Sequence, residues 1–345
     1  MTLLRLPIVI TTVLLLAAML SPARAREKTD EIVLANGDLI HGEIKELTLG
    51  RVKYSTDAAD TIYIKWEDIV SITSDYYYEV ELTDGTRYFG SLGAPDHEGV
   101  LVVILGEQSV DLVKAEVVEI APIKSTFLAR VDGSLNLGFN FTKSSGVATL
   151  NVGATATHRA REFMNDLFFS SNVTVQTDRE DSTRGDLNYT HVRFLENRYL
   201  WGAGAALQRN DELGIDLRIL LQGGVGRAFV QTNHNRLVAN TGLAVNKEWN
   251  TSGPSDVNLE AFFSGSYRYY QYRTPKADIL VKLDLFPGLT DWGRIRAEFS
   301  MNFRREMVKD FFWNLEPFYS FDNRPRTVEA SNDDWGIVTS VSWTF

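Results

Sequence analysis

The segment DWGIVTSVSWTF, residues 334–345, ends the chain and decides its predicted fold class. Its odd-numbered positions are mostly aromatic or β-branched: Trp335, Ile337, Thr339, Val341, Trp343 and Phe345. The even-numbered positions are mostly small and polar. Alternation of period two places these two sets on opposite faces of a strand. Aromatic residues near both ends of one face, with smaller residues between them, are typical of a strand that faces lipid.

The same alternation recurs upstream from Phe127 onward, with turns rich in Gly, Asn, Asp, Ser and Pro between the segments. It breaks phase near His191-Val192-Arg193-Phe194, which indicates either a β-bulge or a miscounted strand there. The pattern allows ten to fourteen strands. We predict twelve, at 129–142, 146–157, 163–177, 184–195, 198–209, 213–226, 232–246, 255–270, 277–286, 291–305, 311–322 and 334–345.

The composition is that of a chain without membrane helices. The mean hydropathy is −0.14, and after residue 25 no run of apolar residues reaches the length of about 18 that a spanning helix needs. In lipid every backbone amide must be paired within the protein, so such a chain crosses a membrane only as a closed barrel. We therefore predict an all-β protein whose residues 123–345 form an antiparallel transmembrane β-barrel.

Residues 1–25 read as a secretory signal peptide. Arg5 precedes an apolar run over 6–20, and Ala23-Arg24-Ala25 is a small-x-small cleavage site. Export directs the barrel to the outer membrane of a Gram-negative cell. An even strand number places both barrel ends, and the preceding residues, in the periplasm.

Charge and cysteine content exclude several classes. Without residues 1–25 the chain keeps 33 basic and 45 acidic residues, a balance of −12 that argues against a nucleic-acid partner. The sequence has no Cys, which excludes a lipid-bearing cysteine, a disulfide framework and a thiolate metal site. We expect no cofactor and no metal.

Residues 31–120 repeat themselves at an offset of 48. Asn36-Gly37 and Asp84-Gly85 open the two copies, as type I′ turns in our prediction, because both central residues of that turn need φ > 0. Gly42 and Gly90 fall where a strongly bent strand tolerates only a small residue. The copies, 26–74 and 75–122, resemble small Sm-like or SH3-like barrels. RNA binding is not expected of an exported acidic chain.

The barrel offers charges but no catalytic motif. Alternation aims charges of both signs into the lumen: Lys282, Asp284, Arg294, Arg296, Glu298, Arg304 and Glu316. They line a narrow aqueous pore or fill the interior as paired packing, and we favour the filled scaffold. Trp343 and Phe345 form the expected signal for the barrel assembly machinery.

Two further functions stay open as alternatives. One is a phospholipase-like enzyme, although none of the barrel histidines, His158, His191 and His234, has a serine two residues away. An outer-rim protease is disfavoured too, because the predicted outer loops hold no His. The other is a scaffold that binds a periplasmic protein or the cell wall. Outer-membrane lipid is a partner in every case.

The barrel also resembles a known family. The start Gly133-Ser-Leu-Asn-Leu-Gly-Phe-Asn140, the strand texture and the end Ser340-Val-Ser-Trp-Thr-Phe345 are similar to the salt-induced outer-membrane protein family, an uncharacterised class of bacterial barrels. The resemblance covers 125–345 and implies no functional residue, because no catalytic motif defines that family. The duplicated module is additional to it.

Overall fold

The computed structural model describes residues 27–123, 130–144, 146–160, 162–176, 181–211, 215–250, 256–324 and 332–344. The predicted signal peptide, 1–25, and Phe345 lie outside these residues. In the described part of the chain, no helix is long and apolar enough to cross a membrane. The fold is all-β, with an N-terminal module of nine strands followed by an antiparallel sheet of twelve.

The N-terminal module consists of short strands and two single-turn 3₁₀ helices, at Trp66–Asp68 and Lys114–Glu116. Its strands are β1 (Asp30–Leu34), β2 (Leu39–Thr48), β3 (Arg51–Ser55), β4 (Thr61–Lys65), β5 (Ile69–Leu82), β6 (Arg87–Gly93), β7 (Val100–Leu105), β8 (Gln108–Val113) and β9 (Val117–Pro122).

The duplication read from the sequence recurs in the module's topology. The two 3₁₀ helices start 48 positions apart, and so do β5 and β9. β1 pairs with β2 and β5, and the second half of β5 pairs in the same way with β6 and β9. The sequence-based boundary at 74/75 lies inside β5, so the two repeats share this strand. Their shared core includes Ile44, Val52, Trp66, Val103 and Ile120.

The turns that open the repeats differ from the predicted type I′. Gly37 and Gly85 both have φ of 88°, but φ is not positive at Asn36 or Asp84. Gly37 N–H donates to the Leu34 carbonyl, and Gly85 N–H donates to the Leu82 carbonyl, each at 2.9 Å. Each loop is therefore a three-residue connection with its glycine in the left-handed region, and only one residue per turn needs φ > 0.

Gly42 and Gly90 mark the tightest approaches between strands in the module. A Cβ at Gly42 would lie 2.5 Å from Tyr54 Cε1 and 2.6 Å from the Ser55 carbonyl oxygen. A Cβ at Gly90 would overlap the carbonyl oxygen of Ile104. Both glycines pass against backbone, which cannot move aside as the end of a flexible side chain can.

We expect Gly42→Ala and Gly90→Ala each to destabilise the module by about 2–3 kcal/mol, because overpacking against backbone forces the strands apart. Hydrogen–deuterium exchange of β1 to β9 in the full chain measures this. Gly265→Ala is the control, since a Cβ there meets nothing within 4 Å. Unchanged protection in both module variants contradicts the expectation.

Each strand of the twelve-stranded sheet pairs with the next along the chain. The strands are β10 (Val131–Thr142), β11 (Val147–Arg159), β12 (Phe163–Gln176), β13 (Ser182–Phe194), β14 (Tyr199–Asn210), β15 (Ile215–Gln231), β16 (Asn235–Asn250), β17 (Asp256–Gln271), β18 (Ala277–Pro287), β19 (Ile295–Val308), β20 (Phe311–Asp322) and β21 (Asp333–Trp343). The predicted number is confirmed. Within the described residues no hydrogen-bonded pairing joins β21 to β10, so closure at this seam stays a prediction.

Of the two alternatives for 191–194, a β-bulge or a miscounted strand, the β-bulge is wrong. The pairings of β13 with β12 and with β14 run without a register shift. The apolar pattern, not the backbone, changes there, because Phe194 packs beneath arginines at the end of the barrel, as described below. Register shifts occur elsewhere, between Gln208 and Asn210, Ile215 and Leu217, Ala228 and Val230, and Glu306 and Val308.

Candidate membrane wall, polar face and barrel mouth

The strand register sorts the twelve-stranded sheet into two chemically distinct faces. One apolar side chain from each strand illustrates the face that we call the apolar face: Leu137, Leu150, Phe169, Leu187, Leu207, Leu221, Leu243, Phe263, Leu283, Phe299, Leu315 and Ile337. Many are half exposed, as Leu221 is at 51% and Phe263 at 51%. A continuous exposed apolar surface of this extent is what a lipid-facing wall requires.

Aromatic residues gather near both ends of the apolar face. At one end the rings of His158, Phe163, His191 and Trp201 form a row across β11 to β14, with successive centroids 5.6, 5.7 and 5.2 Å apart. At the opposite end Phe139, Phe141 and Trp335 are exposed. These two groups, which we call the aromatic belts, are compatible with the interfacial girdles of membrane barrels.

Two of the three barrel histidines, His158 and His191, belong to this aromatic row, and His234 lies in a turn. His191 Nδ1 lies 2.8 Å from Asn165 Oδ1, and His234 Nδ1 lies 3.3 Å from the Tyr270 carbonyl oxygen in a turn. His158 stacks against Phe163. Among the described residues no group of three or more His, Asp and Glu is arranged to hold a metal ion.

The opposite face, which we call the polar face, carries every predicted lumen charge. Three of these arginines have partners there. Arg296 donates to both carboxylate oxygens of Glu260, at 3.2 and 2.8 Å, and Arg294 to those of Asp322, at 3.1 and 2.5 Å. Arg304 lies over the Phe312 ring at 4.3 Å. Bidentate pairs of this kind fix both charged groups in position, so that the paired side chains fill space on this face.

The other four predicted lumen charges have no ion pair within the described residues. These residues are Lys282, Asp284, Glu298 and Glu316, on β18, β19 and β20. Asp284 is directly opposite Glu298 in the strand register. Two like charges in that position repel each other, so they favour a hydrated setting.

The N-terminal module is docked against four successive turns at one end of the barrel, which we call the module end. Arg159, at the end of β11, bonds to Glu119. After β13, Arg198 lies 3.8 Å from Glu81 Oε1 and donates to the Leu82 carbonyl at 3.4 Å. The other two turns make equally direct contacts.

In the turn after β15, Asn233 Nδ2 donates to the carbonyl oxygens of Val117 at 3.0 Å and Ala115 at 3.2 Å. In the turn after β17, Arg273 pairs with Glu67 and with Asp68, each at 2.7 Å. The contacts come from both repeats, so the module bridges the turns of eight strands.

The module lies toward the polar side of this end. Arg159 and Phe194 belong to the polar face, and the guanidinium groups of Arg87 and Arg159 lie 5.6 and 5.5 Å from the Phe194 ring centroid. The Arg51 guanidinium lies 4.1 Å from the Tyr272 ring centroid. These contacts place the module on the polar side of this end of the twelve-stranded sheet.

The acids at this interface are partly desolvated. Burial raises the pKa of Glu79 and of Glu81 above the ordinary value, against the lowering effect of Arg87. For Asp68 burial also acts to raise the pKa, but hydrogen bonds and charge from Arg273 and Lys65 outweigh it, so the pKa is lowered. Arg273, together with Lys65, therefore favours the charged form of Asp68.

Sequence reasoning missed the docking residues Arg159, Arg198, Asn233 and Arg273. The one signal available was that Arg159, Arg198 and Arg273 each stand at or next to a turn at the same predicted barrel end. Trp343, predicted as part of the assembly signal, is on the apolar face opposite Phe311 and is 70% exposed. Phe345 lies outside the described residues.

Comparison with known proteins places the chain in a family without a known activity. Residues 136–345 match the family model described as "Protein of unknown function, DUF481". The match covers the same barrel that the sequence motifs associated with an uncharacterised family. No curated protein and no solved structure matches the chain.

Proposed function

The chain belongs to the DUF481 family, and from its geometry we propose a non-enzymatic outer-membrane β-barrel whose mouth is covered by its own periplasmic module. One observation carries the proposal: the module contacts four successive turns, and two of the barrel residues at this contact, Arg159 and Phe194, belong to the polar face. With the module docked, the protein acts as an envelope scaffold and not as an open pore.

The membrane setting is supported by the exposed apolar face and the two aromatic belts. A membrane setting also bears on the two edge strands of the sheet, β10 and β21. β10 and β21 have exposed apolar side chains such as Phe139, at 72%, and Val341, at 65%. Unpaired backbone groups in lipid cost several kcal/mol each, so we propose that β10 and β21 pair and close the barrel in the membrane.

A narrow ion pore is the second candidate function. Lys282, Asp284, Glu298 and Glu316 favour it, because charges without partners need water. In this version of the proposal the barrel conducts only when the module leaves the mouth. In this pore the paired side chains of Arg294 and Arg296 occupy part of the lumen and so narrow it.

Current through single proteins in planar bilayers tests both candidates. We expect the full chain to be silent and the triple variant Arg159→Ala/Arg198→Ala/Arg273→Ala to give stable ion-sized steps, because three of the four docking contacts are lost. Glu298→Ala in the triple background is then expected to lower the preference for cations.

Arg193→Ala is the matched control, since Arg193 is at the module end but pairs with Glu162 of the barrel at 3.1 Å. Equal steps from the unaltered chain and the triple variant contradict the covered mouth. Silence of every variant removes the pore and leaves the scaffold. Release of fatty acid from lipid vesicles by the pure protein contradicts the non-enzymatic proposal.

A further inference from the structure

A cavity of about 440 Å³ opens on the apolar face across β14 to β18. Its floor is made of small residues, because Ala239 on β16 is opposite Gly265 on β17 in the register. A Cβ built on Gly265 meets nothing within 4 Å. The bulky neighbours Val225, Phe263 and Leu283 line its sides.

One cationic side chain, that of Arg227, lies at the β15 side of this cavity. Arg227 belongs to the same cross-strand row as the floor, opposite Tyr199 on one side and Ala239 on the other. Its guanidinium lies 4.7 Å from the Tyr199 ring centroid and 5.7 Å from that of Phe229. The bulge between Ala228 and Val230 contains Phe229, which is 55% exposed and lines the cavity.

The guanidinium group of Arg227 is hydrogen-bonded to the turn between β13 and β14. Nε donates to the Asn197 carbonyl at 3.3 Å, and Nη1 lies 3.5 Å from the Tyr199 hydroxyl. The aliphatic stem thus covers apolar surface while the charged group reaches toward the interface. Within the described residues no carboxylate forms an ion pair with Arg227, whereas Arg193 and Arg209 at other rim positions each have one.

We propose that this cavity binds one anionic glycerophospholipid from the leaflet on the module side, with its phosphate on Arg227 and an acyl chain over Ala239 and Gly265. A guanidinium lacking a protein carboxylate is complementary to a lipid phosphate, and a dry groove of small residues accepts a methylene chain. The inference rests on the proposed membrane location.

Native mass spectrometry of the full chain in detergent tests the site with two lipids of equal chain length, phosphatidylglycerol and phosphatidylcholine. We expect the unaltered chain to bind phosphatidylglycerol at least about tenfold more tightly. Arg227→Gln is expected to abolish that preference. Gly265→Leu is expected to weaken both lipids, because the leucine side chain would occupy the floor, where an added Cβ meets nothing within 4 Å.

Arg218→Gln is the matched control, because Arg218 is on the same strand but on the polar face, where Nη1 donates to Gln208 at 2.8 Å. If Arg227→Gln fails to fold, Arg227→Lys keeps the charge and Gly265→Leu still tests the groove. Equal binding of the two lipids by the unaltered chain, or an undiminished preference in Arg227→Gln, overturns the proposal.

Insertion into vesicles, read from heat-modifiable migration on gels, separates this proposal from the previous one. A chain that inserts but shows no lipid preference overturns the lipid site alone. A chain that never inserts overturns the membrane location, and the lipid site with it.

Discussion

Leu243→Arg is expected to destabilise the folded, lipid-inserted barrel by about 2–4 kcal/mol, the cost of an arginine near the bilayer midplane of a membrane barrel. Leu243 is on the apolar face in the middle of β16 and is 52% exposed. Its cross-strand neighbours are Gly223 and Ala261. Neither carries a carboxylate, so a guanidinium there would face hydrocarbon without a counter-charge.

Urea titration of the chain folded into phosphatidylcholine vesicles measures the change. Ser264→Arg is the control, because Ser264 is on the polar face in the middle of β17 and is directly opposite Asp284. An arginine there gains an acidic neighbour, so we expect a change of less than about 1 kcal/mol. Equal losses in the two variants would mean that the two faces do not differ in environment, and the membrane wall would be misassigned.

The barrel strands were predictable because their signal is local. Residues two apart share a face, so Trp335, Ile337 and Val341 reveal their strand without knowledge of any partner. The predicted range 311–322 is the observed β20. Prediction was poorer where a strand continues into a turn, as in β15, which runs to Gln231 and not to residue 226. The bulge at Ala228 and Val230 interrupts the alternation there, so the apolar pattern ends before the hydrogen bonds do.

The family resemblance was predictable for a related reason, since strand texture and the two terminal motifs are properties of short segments. The type of the Asn36-Gly37 turn was not. Glycine supplies a positive φ in several turn types, and the identity of the residue before it does not decide among them.

The docking of the module was beyond sequence reasoning. Arg273 and Asp68 are 205 positions apart, and each is an ordinary charged residue in its own surroundings. Charged residues near turns are normally solvated, so nothing local distinguishes Arg273 from Arg324, which pairs with Asp291 at the opposite barrel end. The proposed covering of the mouth is thus a property of the tertiary structure alone.

The second large effect is expected at Asp30, a carboxylate at the start of β1 that is wholly buried in the module. It accepts hydrogen bonds from Ile44 N–H at 2.7 Å, Ser74 Oγ at 2.5 Å and Tyr78 Oη at 2.9 Å. These donors belong to β2 and β5, so one side chain ties three strands together. Tyr78 also comes from the half of β5 that starts the second repeat, and Asp30 therefore links the two copies.

Asp30→Ala leaves these three buried donors without their acceptor. An unsatisfied buried donor costs about 1–3 kcal/mol, and bonds to charged groups are at the upper end, so we expect the module to lose on the order of 4 kcal/mol. Hydrogen–deuterium exchange in the full chain should show β1, β2 and β5 unprotected while β10 to β21 keep their protection.

Asp57→Ala is the matched control, since the Asp57 side chain is 89% exposed and pairs only with Lys28 at 3.0 Å among the described residues. A barrel that loses protection together with the module would contradict the division into two separately stabilised units. A module as well protected in Asp30→Ala as in Asp57→Ala would show that the buried carboxylate does not hold the repeats together.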